Sequence, residues 1–155
     1  MSFEIERKFL VRQRPDLVAA KRSTIRQGYI THPTDAVQMR LRQSNDSYVL
    51  TFKSGQGLVR TEREAAITQQ QFDTFWPETT GRRLEKTRWR GALPDGLTYE
   101  LDVFEGALAG LVLVEVEFET EQAANTFQPP AWFGAEVTED RRYKNQVMAV
   151  NGLPS

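Results

Sequence analysis

The chain has 155 residues, 39% of them hydrophobic and 26% charged, which suits one compact domain spanning 1–155 with a core of its own. Its 20 Lys plus Arg against 21 Asp plus Glu give a net charge of -1 and exclude a protein coated in positive charge for nucleic acid. The lack of cysteine excludes disulfides, thiolate metal sites and Cys nucleophiles. Apolar runs are short, the longest from Leu108 to Val114 being broken by Gly110, and charge follows Met1 closely. Neither a membrane span nor a signal peptide is expected, and a cytoplasmic location fits.

Along the chain the side-chain pattern repeats every two residues more often than every 3.6, as strands require. The opening Glu4-Ile5-Glu6-Arg7-Lys8, read as a strand, sets Glu4, Glu6 and Lys8 on one face and Phe3, Ile5 and Phe9 on the other. Carboxylates two residues apart on a strand lie about 6.7 Å from each other and repel by about 2.5 kcal/mol at an effective dielectric of about 20. Inside a pocket that repulsion needs a cation, so this is a candidate metal-binding strand. Pro15-Asp16 opens a short helical or irregular piece through Lys21, Ile25 to Ile30 reads as a strand, and His32-Pro33-Thr34-Asp35 is a turn. Val37 to Gln43 and Tyr48 to Lys53 form a hairpin about Asn45-Asp46. Ser54-Gly55-Gln56-Gly57 is a loop before the strand Val59 to Ile67. Thr68 with Gln71 three residues on makes a capping box for a helix bearing Phe72, Phe75 and Trp76, ended by Pro77. Strands resume at Leu84 to Arg90, at Leu97 to Phe104 after the turn Pro94-Asp95-Gly96, and at Leu111 to Glu119. Thr120 caps a short helix to Phe127, and Pro129-Pro130 forces extension. Thr138 or Asp140 then caps a last helix through Val150, stopped at Asn151-Gly152. This is a mainly antiparallel α+β pattern with about eight strands.

A single charged pair at i,i+2 is ordinary on the wet face of an antiparallel sheet. The sorting by sign is not, because like charges side by side are mildly destabilising. Glu4/Glu6, Glu62/Glu64, Glu100/Asp102 and Glu115/Glu117 are acidic pairs, whereas Arg40/Arg42 and Lys86/Arg88 are basic ones. If these strands close into a barrel with the charged face inward, acidic clusters confront basic ones. The apolar outer face then needs helices as cover, and Phe72, Phe75 and Trp76 with Tyr143, Val147 and Val150 are available for that. Carboxylates without His or Cys select a hard divalent cation, Mg²⁺ or Mn²⁺, and converging Arg and Lys select a multiply charged anion. A phosphate chain bridged to the carboxylates by metal satisfies both. The lone His32 precedes a proline in a turn and reads as a solvated loop residue.

The spaced motifs Glu4-Ile5-Glu6-Arg7-Lys8, Arg40-Leu41-Arg42, Lys53, Glu62 with Glu64, Lys86-Thr87-Arg88 and Glu115-Val116-Glu117 resemble, in order, those of the CYTH family, also called triphosphate tunnel metalloenzymes. The first looks like the family's ExExK signature, and the likeness runs from Met1 to the last helix, nearest to the small bacterial single-domain members. It implies an eight-stranded antiparallel β tunnel or barrel with a charged interior and helices packed outside. It also implies hydrolysis or cyclisation of triphosphate compounds with Mg²⁺ or Mn²⁺, two ions being expected. By this resemblance Glu4, Glu6, Glu62, Glu64, Glu115 and Glu117 are metal ligands, and Lys8, Arg40, Arg42, Lys53, Lys86 and Arg88 grip phosphates, with Arg60 added. Lys144, in the run Tyr143-Lys144-Asn145, plugs one tunnel end and reaches the substrate. Glu115, Glu117 and Lys8 are the candidate catalytic groups. Glu119 is left as rim charge, Glu100 and Asp102 as supports or salt-bridge partners, and Tyr29 as either tunnel-facing or packing.

In-line phosphoryl transfer asks for positioning and charge neutralisation, not for a protein nucleophile. The preferred reaction is hydrolysis of inorganic triphosphate to pyrophosphate and phosphate by a metal-activated water, since no nucleobase pocket is evident. A class IV-type adenylate cyclase and a thiamine or nucleoside triphosphatase are the enzymatic alternatives. A non-catalytic polyphosphate-binding module is disfavoured, because binding alone is better served without carboxylates. The expected partner is a small triphosphate, with no nucleic acid and no membrane, and a homodimer is left open.

Overall fold

The period-two alternation becomes nine strands, among the described residues, hydrogen-bonded into one sheet. They are β1 (Ile5–Val11), β2 (Lys21–Tyr29), β3 (Val37–Ser44), β4 (Ser47–Ser54), β5 (Thr61–Ala66), β6 (Arg83–Ala92), β7 (Thr98–Phe104), β8 (Val112–Phe118) and β9 (Phe133–Glu136). The computed structural model describes residues 5–55 and 61–155. Phe3 and two expected site residues, Glu4 and Arg60, lie outside the described residues. Every pairing is antiparallel, in the order β5-β4-β3-β2-β6-β7-β8-β1-β9.

The sheet corrects the expectation of eight strands closed into a barrel. The ninth strand comes from the stretch after Pro129-Pro130, whose four residues are too few to show an alternation. It pairs Phe9 with Glu136 and Val11 with Phe133, so β9 forms one edge of the sheet and β5 the other. These edges do not pair among the described residues, and the tunnel is a curled, open sheet. Ser44 pairs with Ser47, which leaves Asn45-Asp46 as a two-residue turn with Asn45 at a φ of 53°, a conformation Asn tolerates better than most residues.

The register puts the described members of the sign-sorted pairs on one face. Glu6 lies opposite Glu117, Lys8 opposite Glu115 and Glu100 opposite Glu115. Arg88 lies opposite Asp102, Gln27 opposite Arg42, Tyr29 opposite Arg40, Thr51 opposite Glu64 and Lys53 opposite Glu62. This is the lumen face. The other face buries Ile5, Phe9, Leu101, Val114, Val116 and Phe118, covered by Ala124 of α2 (Glu121–Thr126) together with Phe127 and Phe133.

Helix α1 (Gln69–Phe75) begins at the expected capping box, with Thr68 Oγ1 accepting from Gln71 N and the Gln71 side chain returning to Thr68 N. Phe72 is fully buried and stacks on Trp76 at 4.9 Å, whereas Phe75 is 51% exposed and takes no part in the covering stripe. The 3₁₀ turn Trp76–Thr79 that follows comes so near to β2 that a Cβ on Gly28 would lie 2.6 Å from Thr79 Cβ, so only glycine fits there. The last helix is shorter than expected. Asp140 caps a 3₁₀ turn, Arg141–Tyr143, while the Thr138 hydroxyl is used by Lys8 N and Glu136; α3 starts only at Asn145 and runs to Asn151. It packs not on the outside but against the lumen face, where its buried Met148 meets Leu84, Phe104 and Leu113; Val150 is 42% exposed. Among the described residues no helix is long and apolar enough to cross a membrane.

Candidate active site

Exposure falls in steps along the lumen. Glu6 and Glu117 are exposed at one end, Lys8 and Glu115 are part-buried, Lys86 and Asp102 are enclosed, and beyond them Leu10, Leu113, Phe104 and Leu84 make an apolar layer under α3. Strand alternation produces this directly, since each step moves two residues along the same face. The lumen therefore has an open ionic end and an end filled with side chains. The floor is tied to the segment around α3: Lys8 Nζ donates to Tyr143 O at 2.9 Å, Lys86 Nζ to Asn145 Oδ1 at 3.3 Å and Gln146 Nε2 to Thr31 O at 3.3 Å.

At the centre lies an ionic knot. Asp102 of β7 accepts from Arg88 through both carboxylate oxygens, at 2.8 and 3.0 Å, and pairs with Lys86 Nζ at 2.8 Å. Arg88 also reaches Glu100 at 3.1 Å. Burial alone would raise the Asp102 carboxyl, but Lys86 and Arg88 overcome it and hold the group well below the usual carboxylate range. Burial likewise opposes the Arg88 charge, yet Asp102, with Glu100 and Glu115 beyond, holds it above the ordinary arginine value. Lys86 responds differently. Burial pushes its ammonium down to about 7, with Asp102 restoring part of the loss and Arg88 and Arg42 adding to it.

Across the lumen β3 presents Arg40 and Arg42 with neutral partners. Arg40, 9% exposed, gives Nη2 to Thr51 Oγ1 at 3.4 Å, and its buried Nε has no hydrogen-bond partner. Arg42 gives Nε to Gln27 Oε1 at 2.9 Å, and Gln27 Nε2 donates to the Tyr29 hydroxyl at 2.8 Å. Burial pushes the Arg42 guanidinium down to about 10, and the like charges of Arg40 and Arg88 act in the same direction. A buried guanidinium with an unused donor beside a second one short of counter-charge is what a polyanion would satisfy. Tyr29, 1% exposed, belongs to the lumen face and is also packed.

The carboxylates divide into two separate places. Glu6, Glu115 and Glu117 come from the adjacent strands β1 and β8, and the Glu115 carboxyl hydrogen-bonds that of Glu6. Burial works to raise Glu115, but Lys8, 3.7 Å away, and Lys86 leave it below its ordinary value. Two carboxyls in contact need a shared proton or a cation. These all-oxygen donors fit a hard divalent ion. Glu62 and Glu64 stand on edge strand β5, Glu64 exposed to solvent. Among the described residues no three acidic or imidazole groups are gathered as a ready metal cluster. Lys53 lies opposite Glu62, and Lys144 is exposed just before α3.

Gln27 and Asn145 carry no role in the sequence reading but touch its residues here. Gln27 was legible by parity, because Ser23, Ile25, Gln27 and Tyr29 share one strand face, yet a strand glutamine carries no charge signal. Asn145 reaches Lys86 only through the fold.

Compared with known proteins, residues 2–145 match the CYTH domain model. The chain belongs to the CYTH family. An inorganic triphosphatase of Nitrosomonas europaea is 56% identical over 150 residues, 96% of this chain and 97% of the relative. One of Acetivibrio thermocellus is 36% identical over 97% of this chain and 96% of its own length. The crystal structure of the inorganic triphosphatase NE1496 superposes with a TM-score of 0.78 at 52% identity, covering 99% of both chains. The fold is accordingly the CYTH triphosphate tunnel, here with nine strands among the described residues.

Proposed function

We propose that this chain, as one catalytic domain, hydrolyses inorganic triphosphate to pyrophosphate and phosphate with a divalent cation, Mg²⁺ or Mn²⁺. The observation that carries this is the pair Arg40, buried, and Arg42, half-buried, on a lumen wall where among the described residues neither has a carboxylate hydrogen-bond partner, facing a wall of acidic groups. The activity named for relatives that match nearly the whole chain supports the same reaction.

Glu6, Glu115 and Glu117, with Glu4, would hold the cation, which when bound neutralises phosphate charge and acidifies an attacking water. Arg40 and Arg42 seat the phosphate chain, and Lys8, Lys86 and Arg88, each already paired with a carboxylate, contribute less from the facing strands. Lys53, Arg60 and Lys144 are secondary contacts in this reading, and Glu62 and Glu64 serve a second cation at the β5 edge. Water attacks the terminal phosphorus, the bridging P–O bond breaks, and pyrophosphate leaves with the released electron pair. In this reading Glu117, exposed at the open end of the lumen, or Glu115 beside it accepts the water's proton.

The test is phosphate release from tripolyphosphate, ATP and thiamine triphosphate, with and without Mg²⁺ or Mn²⁺, with products identified. Tripolyphosphate turnover that a chelator abolishes, and that Glu117→Gln loses while the fold survives, is the expected result. Cyclic AMP from ATP would instead establish the cyclase.

A further inference from the structure

The lumen cations have two kinds of partner. Arg88 gives Nε and Nη2 to the carboxylate of Asp102, an arrangement that fixes the guanidinium and also cancels its charge. Arg42 gives Nε to an amide oxygen, that of Gln27, and this is its one side-chain hydrogen bond among the described residues. Gln27 is fully buried and cannot swing away, because its own amide nitrogen is engaged by the Tyr29 hydroxyl at 2.8 Å and its backbone is paired on both sides, with Arg42 on β3 and Leu84 on β6. Arg42 Nε–H can only donate, so the amide oxygen faces the guanidinium and the amide nitrogen is left to the Tyr29 hydroxyl, which accepts from it.

We infer that Gln27 is a positioning residue for the anion seat: its neutral amide anchors the Arg42 guanidinium through Nε while leaving the positive charge and both terminal amino groups to the substrate. A carboxylate at the same place would make a stronger hydrogen bond and would remove the charge that the substrate needs. An apolar residue would keep the charge and lose the aim. The amide is the side chain of this length that does neither. This rests on the triphosphate reading above, but it concerns binding and can be judged without turnover.

The experiment compares Gln27→Glu and Gln27→Met in the full chain, by steady-state kinetics with tripolyphosphate and by the rise in melting temperature that tripolyphosphate produces in the presence of a chelator. Gln27→Glu is expected to raise KM about tenfold or more with kcat within about threefold, and to lose most of the anion-induced shift. Gln27→Met is expected to raise KM by about threefold to tenfold. A residue that serves packing alone predicts the opposite order, since Glu keeps the acceptor and adds an ion pair; a wild-type KM in Gln27→Glu, or a larger rise in Gln27→Met, overturns the inference. Should Gln27→Glu not fold, an unchanged KM in Gln27→Met overturns it equally. If the wild type stabilises with tripolyphosphate but hydrolyses none, the hydrolase reading fails while the anion-induced shifts of the two variants still decide the role of Gln27.

Discussion

Arg42 and Arg88 face the same lumen from different strands, and their environments move them in opposite directions. On the wall formed by β6, β7, β8 and β1, Lys86 and Arg88 meet Asp102, Arg88 and Arg90 meet Glu100, and Lys8 meets Glu115. On β3, Arg40 and Arg42 meet a hydroxyl and an amide. Burial costs both sets of charges their hydration. Ion pairing offsets that cost on the first wall, and the ordinary arginine value is exceeded at Arg88; on the second Tyr29 and the more distant Asp102 offset only part of it, and Arg42 falls to about 10. Paired charges hold this sheet in shape, whereas charges left without a counter-ion are the ones available to a ligand. That distinction is sharper than the count of basic residues, which treats Arg42 and Arg88 alike.

Removing Asp102 should break the paired wall with the largest effect. Asp102→Ala leaves Lys86 and Arg88 without their shared carboxylate, and a loss of about 3–5 kcal/mol in urea unfolding followed by circular dichroism is expected, as for other buried pairs cut on one side. A variant as stable as the wild type would show that the knot contributes nothing to folding. Arg40→Ala tests the unpaired wall and should act on binding instead. With about 1.5–3 kcal/mol for a hydrogen bond to a charged group, KM for tripolyphosphate is expected to rise about tenfold to hundredfold, while the melting temperature stays or increases because a poorly satisfied buried charge has gone. A lower melting temperature with an unchanged KM would place Arg40 among the structural cations. Thr68→Ala touches neither wall. It removes the α1 cap and should cost about 1 kcal/mol of stability with unaltered KM and kcat, showing that the covering layer and the lumen can be perturbed separately.

The lumen face itself could be read from the chain, because alternation in strands is a local property and like-signed residues two apart keep their face whatever the sheet does around them. Turns and caps that depend on a few adjacent residues, such as Asn45-Asp46 and the Thr68 capping box, were legible for the same reason. Edges were not. Whether the sheet closes depends on strand number and stagger over the whole molecule, and β9 is too short to announce itself. The last helix misled because Thr138 and Asp140 each suit a cap by residue type, while the backbone contacts with Lys8 that decide between them come from the other end of the chain. Within the site, charge sorting pointed to Arg40, Arg42, Lys86 and Arg88 together. It could not separate the enclosed, depressed Lys86 from the rest, since that difference comes from α3 and Asp102.

The apolar layer beneath α3 turns the ionic cavity into a cul-de-sac. A linear polymer of phosphates cannot be threaded through it, so a long chain would have only its tip accommodated. In the proposed reaction the products leave from the open ionic end, the end that also admits the next molecule.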